Sequence, residues 1–253
     1  MCILAWHWQP GDPTELLLVA NRDEAYARPA QALHLWPGGQ VLAGRDLHAG
    51  GTWMGVGRTR RFAALTNYRT GQAPRTDVAS RGTLVSDFLE GSASASDYLA
   101  NLAPRSGDFN PFNLLLWDGE ALLGLEGRHG RIVTLEPGWG AVSNGDFHTP
   151  WPKVKRLLSG LQSAVAGGPC DDEALLQLLA DTTEAAPHEL PATGVPAAVE
   201  QALSSIFIRT PQYGTRASSV LRMAHSSVRF CEQVHAPVQA QVCTRTSLVF
   251  DAE

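Results

Sequence analysis

Cys2-Ile3-Leu4-Ala5-Trp6-His7-Trp8, then Pro10-Gly11-Asp12-Pro13, then Leu16-Leu17-Leu18-Val19-Ala20-Asn21-Arg22-Asp23-Glu24 open the chain, and their reading decides the fold. Two apolar runs flank a strong turn signal, the pattern of an antiparallel hairpin. With the Pro-Gly-Asp-Pro tetrad as the turn, Cys2 lies opposite Asn21, within a residue or so. The register matters because a slip of one residue turns every side chain to the other face. The polar cluster Asn21-Arg22-Asp23-Glu24 then emerges at the end of an apolar strand, beside the start of the chain.

Outward from this hairpin the chain alternates between strands and helices. A Gly-rich stretch runs from Leu42 to Gly57 and ends as a strand, and Phe62 to Asn67 is the next strand. Ser80 is placed to cap a helix to about Leu89, and Ser94 or Ser96 a second one near Tyr98 to Leu102. Asp118-Gly119 joins two strands as a short hairpin. Pro152, Asp171 and Pro196 stand where helices begin. Strands return near Ile206, at Ser218 to Met223, at Ser227 to Val234 and at Val242 to Phe250. No repeat interrupts this order. It implies one α+β domain over residues 1–253, with antiparallel sheets and helices on their outer faces.

Composition narrows the function classes. The 253 residues are 44% hydrophobic and 18% charged, enough apolar material for a sizeable core. A net charge of −5 argues against an electrostatic nucleic-acid or anionic-membrane binder. No apolar run reaches membrane-spanning length and no secretory leader is legible, so the expected location is the cytoplasm. There the cysteines at 2, 170, 231 and 243 are expected as free thiols. None forms a C-x-x-C pair, and no P-loop, G-x-S-x-G, H-E-x-x-H or Rossmann fingerprint occurs. No cofactor or metal set is legible. Haem is kept only as a possible bound ligand, since Cys and His can ligate iron.

Cys2 is the sharpest candidate. Removal of the initiator Met would leave it a free α-amine, whose ordinary pKa is about 7.7–8.0. That amine can take the thiol proton, so nucleophile and base share one residue. Arg22 could lower the thiol pKa, and Asp23 could hold or orient the amine. Asn67 and Asn144 both end strands and could donate to a developing oxyanion, and Arg216 could pair with a carboxylate. Read without function, Cys2 is a small buried hydrophobe, the tetrad an exposed strand end, the two Asn turn residues, and Arg216 a surface cation. Trp6, Trp8, Trp53, Trp117 and Trp151 either fill the core or line an apolar pocket.

Several of these segments together resemble the TANGO2-like, or NRDE, family. They are Met1-Cys2, Leu18 to Glu24, Ala43 to Asp46 with Gly50 to Trp53, Ala64 to Arg69, and Ser80-Arg81-Gly82. Ser143-Asn144, Thr149 to Lys153, Ser205 to Ile208 and Tyr213 to Arg216 follow in family order. The resemblance implies an N-terminal-nucleophile hydrolase-like fold, a four-layer αββα sandwich with two facing antiparallel sheets. Within that group it is similar to Cys-type amidohydrolases such as penicillin V acylases and bile-salt hydrolases. It implies Cys2 as nucleophile, Arg22 and Asp23 as site residues with Asn21 beside them, and Asn144 as oxyanion donor. Arg216 is a looser counterpart of a later site Arg. One departure is that Arg22 and Asp23 are adjacent, whereas the acylases separate the pair by two residues. Neighbours on a strand face opposite ways.

The functions implied are hydrolysis or acyl transfer at a C–N amide bond of a small molecule. The alternative is a non-catalytic lipid, acyl-CoA or haem binding and transfer protein, or a scaffold for interactions. Nothing in the residues speaks to oligomeric state.

Overall fold

A computed structural model describes residues 2–168, 170–236 and 242–251. Met1, whose removal the nucleophile reading needs, and the Cys243 side chain lie outside the described residues. The first hairpin joins β1 (Cys2–Trp8) to β2 (Thr14–Ala25). Its turn is closed by Gln9 N–H donating to the Glu15 carbonyl at 2.8 Å and Asp12 N–H donating to that of Gln9 at 3.2 Å. This geometry pairs Trp8 with Leu16 and Cys2 with Arg22, one residue beyond the expected Asn21. The polar tetrad also does not end the strand. A later strand, β11 (Tyr213–Ala224), pairs along the other edge of β2 as far as Ala25, so Asn21 to Glu24 lie inside a sheet.

Two antiparallel sheets form. One carries β1, β2 and β11 with β10 (Gly138–Val142), β12 (Ser227–His235) and β13 (Val242–Asp251), in the order β10-β1-β2-β11-β12-β13. The other runs in chain order through β3 (Ala30–Leu35), β4 (Val41–Asp46), β5 (Met54–Gly57), β6 (Phe62–Asn67), β7 (Phe112–Trp117), β8 (Leu122–Glu126) and β9 (Arg131–Thr134).

Burial on both faces explains why the runs Leu16 to Ala20 and Leu114 to Leu116 are apolar without alternation. Leu4, Trp6, Leu16 and Leu18 meet Met54, Phe62, Leu115 and Trp117 between the sheets. The odd-numbered Ile3, Ala5, Leu17 and Val19 face α3 (Pro152–Ala166) and α4 (Asp172–Leu179) through Leu157, Leu161, Leu175 and Leu179. Ala63, Leu65, Leu114 and Leu116 face α1 (Gly82–Glu90) and α2 (Ala95–Leu102) through Leu84, Phe88 and Leu99. Each such fully buried Leu or Phe contributes roughly 1.5–3 kcal/mol of transfer free energy. The architecture is the α+β, four-layer αββα sandwich.

Two of the expected caps are in place, whereas Ser80 does not cap α1: Arg81 holds the N-cap position without a side-chain bond, because the helix begins one residue later than the serine requires. Ser94 accepts from the Asp97 N–H at 3.0 Å, Asp171 from that of Ala174 at 2.8 Å, and Pro152 opens α3. The short α5 (Ala197–Ala202) follows Pro196. The strand expected near Ile206 is instead a turn, whose Ile206 carbonyl is taken by a side chain of β2.

Candidate active site

Four segments converge at the chain start. Cys2 begins β1, and Arg22 lies directly across from it on β2. The Gly50 to Trp53 loop and the Ser80 to Gly82 segment close the opposite wall. These two loops touch backbone to backbone. A Cβ on Gly51 would sit 2.4 Å from the Gly82 carbonyl carbon, and Thr52 N–H donates to the Gly82 carbonyl at 3.2 Å. Only glycine fits there. Gly44 similarly leaves room for the Trp53 ring, which a Cβ would meet at 2.4 Å. The result is a cleft of about 110 Å³ lined by Cys2, Arg22, Glu24, Trp53, Asn67 and Arg81, among others.

Strand alternation sorts the tetrad. Cys2 and Arg22 share the inter-sheet side, where the Arg22 guanidinium lies over the Trp53 ring at 4.2 Å. Asp23 is turned toward α3, and Thr215 donates its hydroxyl to the Asp23 carboxylate at 2.7 Å. Its backbone N–H still bonds the Cys2 thiol. Burial pushes the Cys2 thiol up, and the Asp23 charge adds to this, while that backbone hydrogen bond and Arg22 pull it down.

Beneath the cleft lies a buried group of charges. Burial pushes the Asp23 carboxyl up, and Lys153 opposes this. Lys153 is 1% exposed, and burial holds its ammonium down at about 8 against the pull of Asp23. Arg69 pairs with Glu200, whose other oxygen accepts from the Thr193 N–H at 2.9 Å. Asn144 ties the group to the cleft. Its Oδ1 accepts from Lys153 Nζ at 3.4 Å, and its Nδ2 donates to the Asn67 carbonyl at 2.8 Å and the Cys2 carbonyl at 3.4 Å. Ser143 donates its hydroxyl to the same Cys2 carbonyl at 2.9 Å.

Of the seven residues singled out from the sequence, Cys2, Arg22, Asp23 and Asn67 line the cleft. The Asn67 side-chain amide makes no hydrogen bond with the described residues. Asn144 reaches Cys2 through its main chain, with both amide hydrogens committed to carbonyls. Asn21 faces the helices. It donates to the Leu179 and Ile206 carbonyls at 2.8 and 3.0 Å and accepts from the Ser218 hydroxyl at 2.7 Å. Arg216 donates to the carbonyls of Ala25, Tyr26 and Arg28, holding the turn that carries Arg28 to the cleft rim. Trp6, Trp8 and Trp117 fill the inter-sheet core, Trp151 lies under Arg69, and Trp53 lines the cleft.

Arg81, Lys153, Arg69 and Glu200 are missed by reading the sequence for chemistry. Three carry a signal. Arg69, Arg81 and Lys153 fall inside the blocks that carry the family resemblance, and Lys153 is also one of two lysines beside eighteen arginines. The cleft does not fit a haem. It is too small for the macrocycle, charged groups crowd it, and no histidine lines it. No group of three or more His, Cys, Asp or Glu side chains among the described residues converges as a metal site.

Fold and site thus define an αββα sandwich with a cysteine and an arginine facing each other at the mouth between its sheets. The family described as Transport and Golgi organisation 2 matches residues 1–237, and the chain belongs to it. The chain is 33% identical over 258 residues to the Transport and Golgi organization protein 2 homolog of Bos taurus, covering 92% of each. It is 30% identical over 261 residues to the Homo sapiens homolog, again covering 92% of each. Among solved structures it is similar to a Caenorhabditis elegans N-acylethanolamine-hydrolyzing acid amidase ortholog, at TM-score 0.48 and 11% identity, covering 87% of this chain and 92% of that one. It is also similar to a C2A mutant of conjugated bile acid hydrolase from Clostridium perfringens, at TM-score 0.47 and 10% identity, covering 100% and 97%. No helix among the described residues is long and apolar enough to cross a membrane.

Proposed function

We propose that the chain is an N-terminal-cysteine amidohydrolase acting on a C–N amide bond of a small molecule, as one unit over residues 1–253 in the cytoplasm. The observation that carries this reading is that Cys2 lines a cleft together with Arg22, its partner across the strand pair, and Asn67. After Met1 removal the α-amine of Cys2 accepts the thiol proton. Sulfur attacks the amide carbonyl carbon, and the carbonyl oxygen becomes an oxyanion. Asn67 donates to that oxyanion, and Asn144 holds Asn67 and Cys2 in place through their carbonyls. Loss of one such donor costs roughly 2.7–4 kcal/mol of barrier in a well-studied hydrolase. Collapse breaks the C–N bond, the amine leaves with the proton from the α-ammonium, and water hydrolyses the thioester.

An intact-mass spectrum and iodoacetamide mapping at pH 7 test the reading. The expected result is a chain lacking Met1 in which Cys2 is alkylated faster than Cys170. Retained Met1, with Cys2 no faster than Cys170, would sink it.

A second reading, a non-catalytic binder of an acyl or lipid ligand on the same fold, is favoured by one observation. Burial pushes the Cys2 thiol toward its protonated, unreactive form. Saturable acyl-CoA binding unaffected by Cys2→Ala, read by Trp fluorescence, separates it from the first.

A further inference from the structure

A second groove lies beside the cleft and shares one wall with it. Its volume is about 250 Å³, and its charged lining consists of Arg75, Arg81 and Arg128. No carboxylate lines it. This is unusual for a chain with a net charge of −5, and it contrasts with the Cys2 cleft, where Arg28 is neutralised by Asp46 at 2.6 Å and Glu24 shares the wall.

The three guanidinium groups are held by neutral acceptors. Arg75 donates to the Gly107 carbonyl at 2.9 Å and also to that of Phe109. Arg81 donates to the Pro111 carbonyl at 3.0 Å. Arg128 donates to the Tyr68 hydroxyl at 3.2 Å and lies over that ring at 5.0 Å. Such partners fix each cation without cancelling its charge. Preorganised guanidinium groups whose hydrogen-bond acceptors are neutral suit the forked geometry of an oxyanion bearing several charges. Arg81 lines both spaces and feels the Cys2 and Glu24 charges from the cleft side, so a ligand in the groove reaches toward the thiol.

We propose that this groove binds the multiply charged oxyanion tail, of phosphate type, of a soluble substrate whose amide carbonyl lies at Cys2. The tail assignment rests on the amidohydrolase reading, whereas the anion site itself does not. Isothermal titration of the full chain with inorganic pyrophosphate tests it, with acetate as the singly charged control. Expected is one saturable site for pyrophosphate that weakens as NaCl is added, and no saturable heat with acetate. Arg75→Gln together with Arg128→Gln weakens pyrophosphate binding about tenfold or more. Both residues are exposed, and an unchanged thermal melt of the double variant confirms that its fold is kept.

Equal pyrophosphate affinity in wild type and double variant, absence of saturable pyrophosphate heat, or equal binding of acetate overturns the proposal. So does tighter binding to phosphatidic-acid vesicles than to free pyrophosphate, which would place the anion on a membrane surface. Cys2→Ser keeps full pyrophosphate affinity. If Cys2 proves unreactive while the double variant still loses pyrophosphate, the amidohydrolase reading falls and the anion site stands.

Discussion

The two faces of β2 carry neighbouring residues into different environments. On one face, Arg22 lies over Trp53 and across from Cys2, at the mouth between the sheets. On the other, Asn21 and Asp23 are 1% exposed and bond to carbonyls and hydroxyls contributed by α4, β11 and the turn at 206, with the Lys153 cation acting on Asp23. One face presents charge to a cleft, and the other closes polar groups inside a layered core. An unsatisfied polar group is costly only where water cannot reach it. Substitutions on the helix-facing side should therefore act on stability. Substitutions on the inter-sheet side should act on Cys2 and on pH response.

The sharpest way to break this contrast is Lys153→Met, on the helix-facing side. It leaves Asp23 without the cation that opposes its burial. Destabilisation of roughly 3–5 kcal/mol is expected in urea unfolding. A neutral result would mean that the charge group is not closed.

Asn21→Leu comes next. It strips a hydrogen bond from two buried carbonyls and one hydroxyl, and about 3 kcal/mol should be lost. In the folded protein the alkylation rate of Cys2 should not change.

Glu232, on the inter-sheet side of β12, sharpens the contrast through pH. It accepts from the Leu33 N–H at 2.7 Å, and burial pushes its carboxyl from 4.5 up to about 7. The folded state then keeps a proton that the unfolded chain releases in this range. The stabilisation is full below pH 4.5 and is lost as pH rises to about 7. His235 works in the opposite sense, because burial holds it down at about 4 against 6.5. Its contribution grows as pH rises through that window, so the two slopes oppose each other. Glu232→Gln keeps the Leu33 bond and removes one slope. The variant should gain about 3 kcal/mol relative to wild type between pH 4.5 and pH 8, as read by denaturation midpoints. A constant difference across that range would refute the assignment.

The smallest effect is expected for Arg22→Gln. It removes a cation from above Trp53 and from beside the thiol, a change of about 1 kcal/mol. Alkylation of Cys2 should slow about fivefold, with little change in melting. A large loss of stability with unchanged alkylation would reverse the roles of the two faces.

The first hairpin, the caps at Ser94 and Asp171 and the proline at the head of α3 are legible because each rests on contacts within a few residues. The register of the hairpin is not, because a turn accommodates one residue more or less at little cost. That single residue decides whether Asn21 or Arg22 faces Cys2. The length of β2 is not legible either. Asn21 to Glu24 read as a strand end by polarity, and they are sheet because β11, almost two hundred residues later, pairs with them. Arg81 and Lys153 stand inside recognisable blocks, yet their positions around Cys2 depend on the approach of Gly51 to Gly82 and on where α3 packs.

What the sequence by itself determined is the class of fold and the family. Doubly buried apolar runs, helix caps and ordered motif blocks all constrain local structure, and they agree with one another. Only the tertiary structure decided which polar residues face the cleft, which close the core, and which three arginines share a groove without a carboxylate. Those outcomes depend on sheet pairing between distant segments and on glycine contacts between loops, where a one-residue shift reverses a face.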